Sequence, residues 1–173
     1  MSAPTTAHHT LPPIYNNQSK ILILGSFPSV VSRKENFYYM HPRNRFWPVI
    51  AKLCNEPLPQ TVPARQQLLL KHKIALWDVV QSCQLIGSSD QSIQKAQPND
   101  LFAMLESAPI KAIFTNGQKA YALYHKLIFP KIELHAIALP STSPANAAYS
   151  IERLLEQWSV LLPYLKRPAL KSK

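Results

Sequence analysis

Four short apolar runs constrain this chain more than any other feature. They are Ile21–Leu24 in KILILGSFPS, IALWDVV from residue 74, IKAIFT from residue 110 and IELHAIAL from residue 132. Each has strand length, and Gly25 and Pro28 stop the first. Helical stretches lie between and after them: Asn44 to Cys54, residues 62 to 72, NDLFAMLESAP with Asn99 or Asp100 as N-cap, and NGQKAYALYHKLIF after a Gly turn. In the last helix Ile151, Leu154, Leu155, Trp158 and Leu162 form one apolar stripe. Strands alternating with helices predict an α/β fold, a single domain with a central, mainly parallel four-stranded sheet flanked by helices. Ligands of such sheets sit at the carboxyl ends of the strands. That rule gathers GSFPS (Gly25–Ser29), the Asn116–Gly117 turn and the loop PSTSPAN (residues 140–146) on one rim.

Other segments are less regular. Residues 1–19, with Pro4, Pro12 and Pro13, read as a flexible N-terminal arm; 20–163 read as the domain, and 164–173 as a basic tail. A long loop joins the first strand to residue 43, and QSCQLIGSSDQSIQKAQ reads as a polar loop too long for a mere connection. Hydrophobic residues make up 46% of the chain and charged ones 16%, which excludes a disordered protein. The net charge of +10 favours a polyanionic partner, nucleic acid first. Four of those charges (Lys166, Arg167, Lys171 and Lys173) lie in the tail and leave about +6 elsewhere. No membrane-length apolar run or signal peptide is present, so an intracellular, cytoplasmic monomer is expected. Cys54 and Cys83 have no metal-ligand spacing and read as small buried hydrophobes; the six histidines show no ligand spacing either, and no metal or cofactor is expected.

The segment YYMHPRNRFW (residues 38–47) is the densest in chemistry. Tyr38 and Tyr39 suit stacking on a nucleobase, Arg43 and Arg45 suit phosphates, and the Asn44 amide both donates to and accepts from a water. Each has a plainer alternative: Asn44 as a helix cap, the arginines as solvated cations, and Phe46 and Trp47 as core. The hydroxyls of LPSTSPAN suit phosphate binding at a helix N-terminus, with Asn146 as a plain cap the alternative. Asn116 either meets a base edge or shapes its turn. GSFPS is either an ordinary turn or one that exposes backbone N–H groups to a ligand. Asp78 reads as a structural residue at a strand end, with a part in the chemistry as the alternative.

In this order, GSFPS, HPRNRFW and STSPAN resemble the motifs of the uracil-DNA glycosylase superfamily over about residues 20 to 163. HPRNRFWPVI is similar to a segment of the mismatch-specific uracil/thymine glycosylases. LPSTSPAN, LWDVVQSC and GSSDQSI are most similar to the hypoxanthine-DNA glycosylase (DNA-deoxyinosine glycosylase) branch. The resemblance implies a monofunctional glycosylase that releases hypoxanthine from deoxyinosine in DNA, without metal or cofactor. Excision of uracil and a non-catalytic DNA-binding module are the alternatives. Two positions depart from most of the superfamily: Phe27 stands where a water-activating Asp or Asn is usual, and Ser141 where a His or Asn is usual. Both are features of the hypoxanthine branch, whose catalytic asparagine maps to Asn44. The resemblance also implies that Ser26, Phe27, Tyr38, Tyr39 and Asn116 hold the base. Ser29, Arg43, Arg45, Ser141, Thr142, Ser143 and Asn146 are then expected to hold DNA phosphates.

Overall fold

The computed structural model describes residues 3–86 and 93–165. The described residues contain seven strands: β1 (Thr5–His8), β2 (Ile21–Gly25), β3 (Ile74–Asp78), β4 (Val80–Leu85), β5 (Gln94–Pro98), β6 (Ala112–Asn116) and β7 (Ala136–Leu139). The four apolar runs become one all-parallel sheet in the order β3-β2-β6-β7, as expected. Both faces of that sheet are covered, which is why its strands are apolar runs and not alternating ones. Ile21, Ile23, Ile74, Leu76 and Phe114 face one core, closed by α2 (Phe46–Leu53), α3 (Val62–Lys71) and α7 (Ile151–Trp158). Leu22, Leu24, Ala75 and Ile113 face a second core, closed by β4, α4 (Phe102–Ser107) and α5 (Gln118–Leu127).

The apolar stripe of the last helix does what its spacing requires. Leu154 and Trp158 are wholly buried, and the Trp158 indole donates to the Pro140 carbonyl at 2.9 Å. The helix begins four residues later than Asn146 suggested: Ser150 caps it by accepting from the Arg153 N–H. A 3-10 turn (Ser159–Leu161) and α8 (Leu162–Leu165) follow. Asp100 accepts from the Phe102 N–H at the start of α4, whereas Asn99 is buried and donates to the carbonyls of Asp78 and Val80. A short α6 (Phe129–Ile132) links α5 to β7.

Three segments differ from the sequence reading. QSCQL and QKAQ are strands, β4 and β5, which pair with β1 in a second, antiparallel sheet of order β1-β4-β5. Only one face of that sheet is buried, so Cys83 and Leu85 point inward between Gln81, Ser82 and Gln84, and the composition reads as loop. Residues 3–19, read as a loose arm, carry β1 and are built into the fold: Leu11 and Ile14 are buried, and Ile14 bridges Leu76 through two 2.9 Å backbone bonds. Pro12 and Pro13 fix an extended path there and do not loosen it. The long loop after β2 contains α1 (Val30–Glu35), capped by Ser29 and closed by Asn36 in the left-handed region. The stretch GSSDQS and the tail from residue 166 lie outside the described residues. No helix among the described residues is long and apolar enough to cross a membrane.

Candidate active site

The carboxyl ends of the parallel strands open into a cleft of about 860 Å³. Gly25 ends β2, Asp78 ends β3, Asn116 ends β6, and the loop after β7 supplies Ser141, Thr142 and Ser143; all of these line it. Asn44 reaches the same space from the turn that starts α2. The expected rim therefore exists.

Asn44 is held by two donors. Its Oδ1 accepts from the Phe46 N–H at 2.9 Å and from the Thr142 hydroxyl at 2.9 Å. A backbone N–H can only donate, so the amide's orientation is set and not arbitrary. Both oxygen lone pairs are engaged, so what the amide has left to offer a ligand is Nδ2, a donor. Asn44 is not the helix cap, a position held by Arg45 without a side-chain bond; its bond to the Phe46 N–H closes the turn that leads into α2 and fixes the amide.

Thr142 is wholly buried, which removes it from the expected phosphate contacts. It is a hub instead. Its N–H donates to Asn116 Oδ1 at 3.0 Å and its Oγ1 accepts from Asn116 Nδ2 at 2.9 Å, while its carbonyl accepts from the Arg45 N–H. Asn116, expected at a base edge, thus commits both ends of its amide to Thr142. The chain of bonds Asn116–Thr142–Asn44 ties the end of β6 to the start of α2.

Arg45 also departs from expectation. Its guanidinium donates to the carbonyls of Tyr149, Ser143 and Asn146, so it holds the 143–149 loop from within and is not presented to a phosphate. Arg43 is exposed but does not line the cleft. Ser29, Ser141, Ser143 and Asn146 do line it. Their side chains shape the rim: Ser29 caps α1, Ser141 and Ser143 each accept from a backbone N–H two residues on, and Asn146 donates to the Ser141 carbonyl. Gln118 and Lys119, in the first turn of α5, complete the rim and were not foreseen.

The tyrosines separate. Tyr38 is buried with its hydroxyl on the Pro12 carbonyl at 2.7 Å, and burial, then Asp78 and Tyr39, push its phenol far up. It anchors the N-terminal segment although its edge lines the cleft. Tyr39 is half-buried and stacks on Phe46 with centroids 4.2 Å apart. Phe27 and Ser26 are buried at the cleft floor, Phe27 in edge contact with His9.

Asp78 and His9 were not placed in the site by the sequence. Asp78 is 3% exposed, lines the cleft, and accepts from His9 Nε2 at 2.8 Å. Its Oδ1 lies so close over Gly25 that a Cβ there would stand 2.4 Å from it and 2.8 Å from the Tyr39 hydroxyl. The glycine is required by this approach. An acid at the carboxyl end of a parallel strand was the available signal for Asp78; nothing in the sequence pointed to His9.

The model of the uracil DNA glycosylase superfamily matches residues 12–163. A hypoxanthine DNA glycosylase of Methanosarcina acetivorans is 34% identical over 144 residues, covering 82% of this chain and 90% of that one. One from Methanosarcina barkeri is 34% identical over 111 residues, covering 63% and 70%. The solution NMR structure of a candidate uracil DNA glycosylase from Methanosarcina acetivorans superposes with a TM-score of 0.78 at 29% identity, over 93% of this chain and 99% of that one. With a matching family model over most of its length and the same sheet beneath its cleft, the chain belongs to the uracil DNA glycosylase superfamily.

Proposed function

We propose that this protein is a monofunctional DNA glycosylase that hydrolyses the N-glycosidic bond of deoxyinosine, releasing hypoxanthine and leaving an abasic site. Asn44 is its catalytic residue. The relatives named hypoxanthine DNA glycosylase support the substrate. Phe27 supports it too, because a phenyl ring beside Gly25 cannot polarise water as a carboxylate or amide would. DNA carrying deaminated bases is the partner, and the protein acts as a monomer.

The observation that carries this reading is the fixed amide of Asn44, held by Phe46 and Thr142 at a cleft open to a ligand. A base inside a duplex is out of reach, so the nucleotide must turn out of the stack, at less cost where the pair is damaged. Breaking the glycosidic bond places negative charge on the departing purine and positive charge on the sugar. Asn44 Nδ2 donates where that negative charge gathers, while the water that ends the reaction enters beside it. A preorganised donor of this kind contributes about 100- to 1,000-fold to rate. Phe27 and Tyr39 flank the base, and Ser29, Ser141, Ser143 and Asn146 hold the backbone at the rim.

The test is single-turnover excision from duplexes bearing one deoxyinosine or one deoxyuridine, scored as alkali-labile abasic product. Deoxyinosine is cleaved faster. Asn44→Ala lowers that rate about 100- to 1,000-fold. Asn44→Asp keeps an acceptor for Phe46 and Thr142 but loses the donor, and it falls as far. Salt-sensitive binding with no abasic product would make the protein a DNA-binding module instead. An Asn44→Asp variant faster than wild type would move the chemistry to water activation.

A further inference from the structure

The amino ends of the parallel strands, on the side away from the cleft, carry a pattern of their own. The residue just before each of the four strands is basic: Lys73 before β3, Lys20 before β2, Lys111 before β6 and His135 before β7. In the order β3-β2-β6-β7 these residues become neighbours. The Lys20 N–H donates to the Lys73 carbonyl at 2.8 Å, and the Lys111 N–H donates to the Lys20 carbonyl at 2.7 Å. The three lysine backbones are thus stitched side by side, about 4.8 Å apart. Lys111 and His135 are exposed, and Lys20 and Lys73 are half-buried. The length of β2, about 16 Å, separates Lys20 from Gly25 at the cleft.

Stability alone does not explain this row. Like charges on neighbouring strands repel one another. Lys73 also stands in the left-handed region, with φ 63°, where glycine or asparagine would cost less. Neither Lys73 nor Lys111 meets a carboxylate among the described residues. Glu56 is taken by Lys71 and His72, and Glu106 and Glu133, on the segments before Lys111 and His135, point their charge to solvent. The turn that leads into Lys20, closed by the Ser19 N–H on the Asn16 carbonyl at 3.1 Å, adds the exposed amides Asn17 and Gln18.

We infer that the row is a second nucleic-acid site, which grips the phosphates of one DNA segment while the cleft engages another, and so hands the protein between segments without full release. This role rests on the reading of the cleft as a DNA site and on no step of the excision. A line of ammonium groups on flexible stems follows a phosphodiester backbone, which offers one charge per about 3.4 Å of axis on each strand, and it reads no bases. Asn17 and Gln18 are neutral side chains of the kind that also contact phosphates. An acidic protein would need its carboxylates arranged along the same line, whereas a DNA strand has that line built in.

The double variant Lys73→Gln/Lys111→Gln tests the row, because it removes two ammonium groups and leaves the backbone bonds in place. Analytical ultracentrifugation at about 50 mM salt counts duplexes per chain, with duplexes of about 12 base pairs, too short and stiff to reach both faces. Wild type carries two duplexes on one chain. The double variant carries one, and that retained duplex shows that it is folded. Its affinity for the second duplex falls about tenfold per lysine, and the salt slope falls by about 2. Lys34→Gln/Lys95→Gln, an equal loss of charge at exposed positions off the row, keeps two. In a chase, a labelled duplex leaves wild type about threefold faster or more as competitor duplex rises about tenfold, whereas it leaves the double variant at a constant rate. Two duplexes on the double variant, an equal loss in the control, or a complex of two chains with two duplexes overturns the inference. So does a single duplex on wild type that the double variant keeps; a poly-glutamate peptide bound by wild type and lost by the variant then assigns the row to an acidic protein. A single duplex that the double variant loses keeps the row as a DNA site and instead sinks the DNA reading of the cleft.

Discussion

Thr142→Val separates positioning from stability at the centre of the site. Valine keeps the β-branched shape and the backbone bonds to Asn116 and Arg45, and removes only the hydroxyl. Two 2.9 Å bonds disappear, one to Asn44 Oδ1 and one from Asn116 Nδ2. Each lost bond costs about 1 kcal/mol, and an Asn116 N–H left against a methyl costs about 1 more, at the lower end because both asparagines are only half-buried. The expected loss is about 2–3 kcal/mol, which lowers Tm by about 4–12 °C for a domain of this size. The kinetic effect is distinct. Asn44 keeps one anchor of two, and a swing of about 1 Å in a catalytic group costs up to about 100-fold, so kcat on a deoxyinosine duplex should fall about 10- to 100-fold at a temperature where the variant is folded. Thr142→Ser restores the hydroxyl and should keep kcat within about twofold while losing about 1 kcal/mol for the methyl. In an Asn44→Ala background Thr142→Val should cost no further rate. A Thr142→Val enzyme with wild-type kcat and a lowered Tm would refute the positioning role outright.

Further experiments test individual assignments. Arg45→Ala removes three hydrogen bonds to loop carbonyls, of which those of Ser143 and Asn146 keep a backbone N–H, and should cost about 2–3 kcal/mol in urea unfolding, whereas exposed Arg43→Ala should stay within about 0.5 kcal/mol. If Arg43 touches DNA, its loss lowers the salt slope of duplex binding by about 1, read from fluorescence anisotropy over a salt series. Hydrogen bonds from Lys71 and His72 hold the Glu56 carboxyl below its ordinary 4.5, so the stability it adds is present above that pH and lost as pH falls through the depressed value; Glu56→Gln should flatten that limb of the Tm–pH curve. Burial, then Glu56, pushes the Cys54 thiol up to about 11, so disulfide exchange with an aromatic disulfide at pH 8 should run at least tenfold slower than for a free thiol, by about the ratio of thiolate fractions, and quicken toward pH 11.

The contrast between what was legible and what was not follows from where the information resides. The parallel sheet was legible because strands covered on both faces must be apolar throughout, and Ile21–Leu24 can hardly be anything else. β4 and β5 were not, since a sheet with one buried face alternates, and Gln81, Ser82 and Gln84 hide Cys83 and Leu85. The rim was legible from topology alone, because a parallel sheet sends all its strand ends to one side. The partners along it were not. Asn44, Asn116, Thr142 and Arg45 all read as ligand contacts by residue type, and what sorts them is which polar groups they meet first. Asn116 lies 26 positions and Asn44 98 positions from Thr142, so no local pattern can announce the network.

The N-terminal segment obeys the same physics. Its prolines suggested looseness, but proline restricts a chain, and a restricted chain loses less entropy when it docks. Pro12 and Pro13 lead into Ile14, which bridges β3 at Leu76, two residues before Asp78. Five residues before Ile14, His9 bonds that same aspartate. The segment thus clamps β3 by backbone at Leu76 and by side chain at Asp78, while the Tyr38 hydroxyl, from the stretch that leads to Asn44, fastens Pro12 between them. The floor carboxylate and the turn bearing Asn44 are therefore tied to one short segment, so displacing it must disturb both ends of the cleft together.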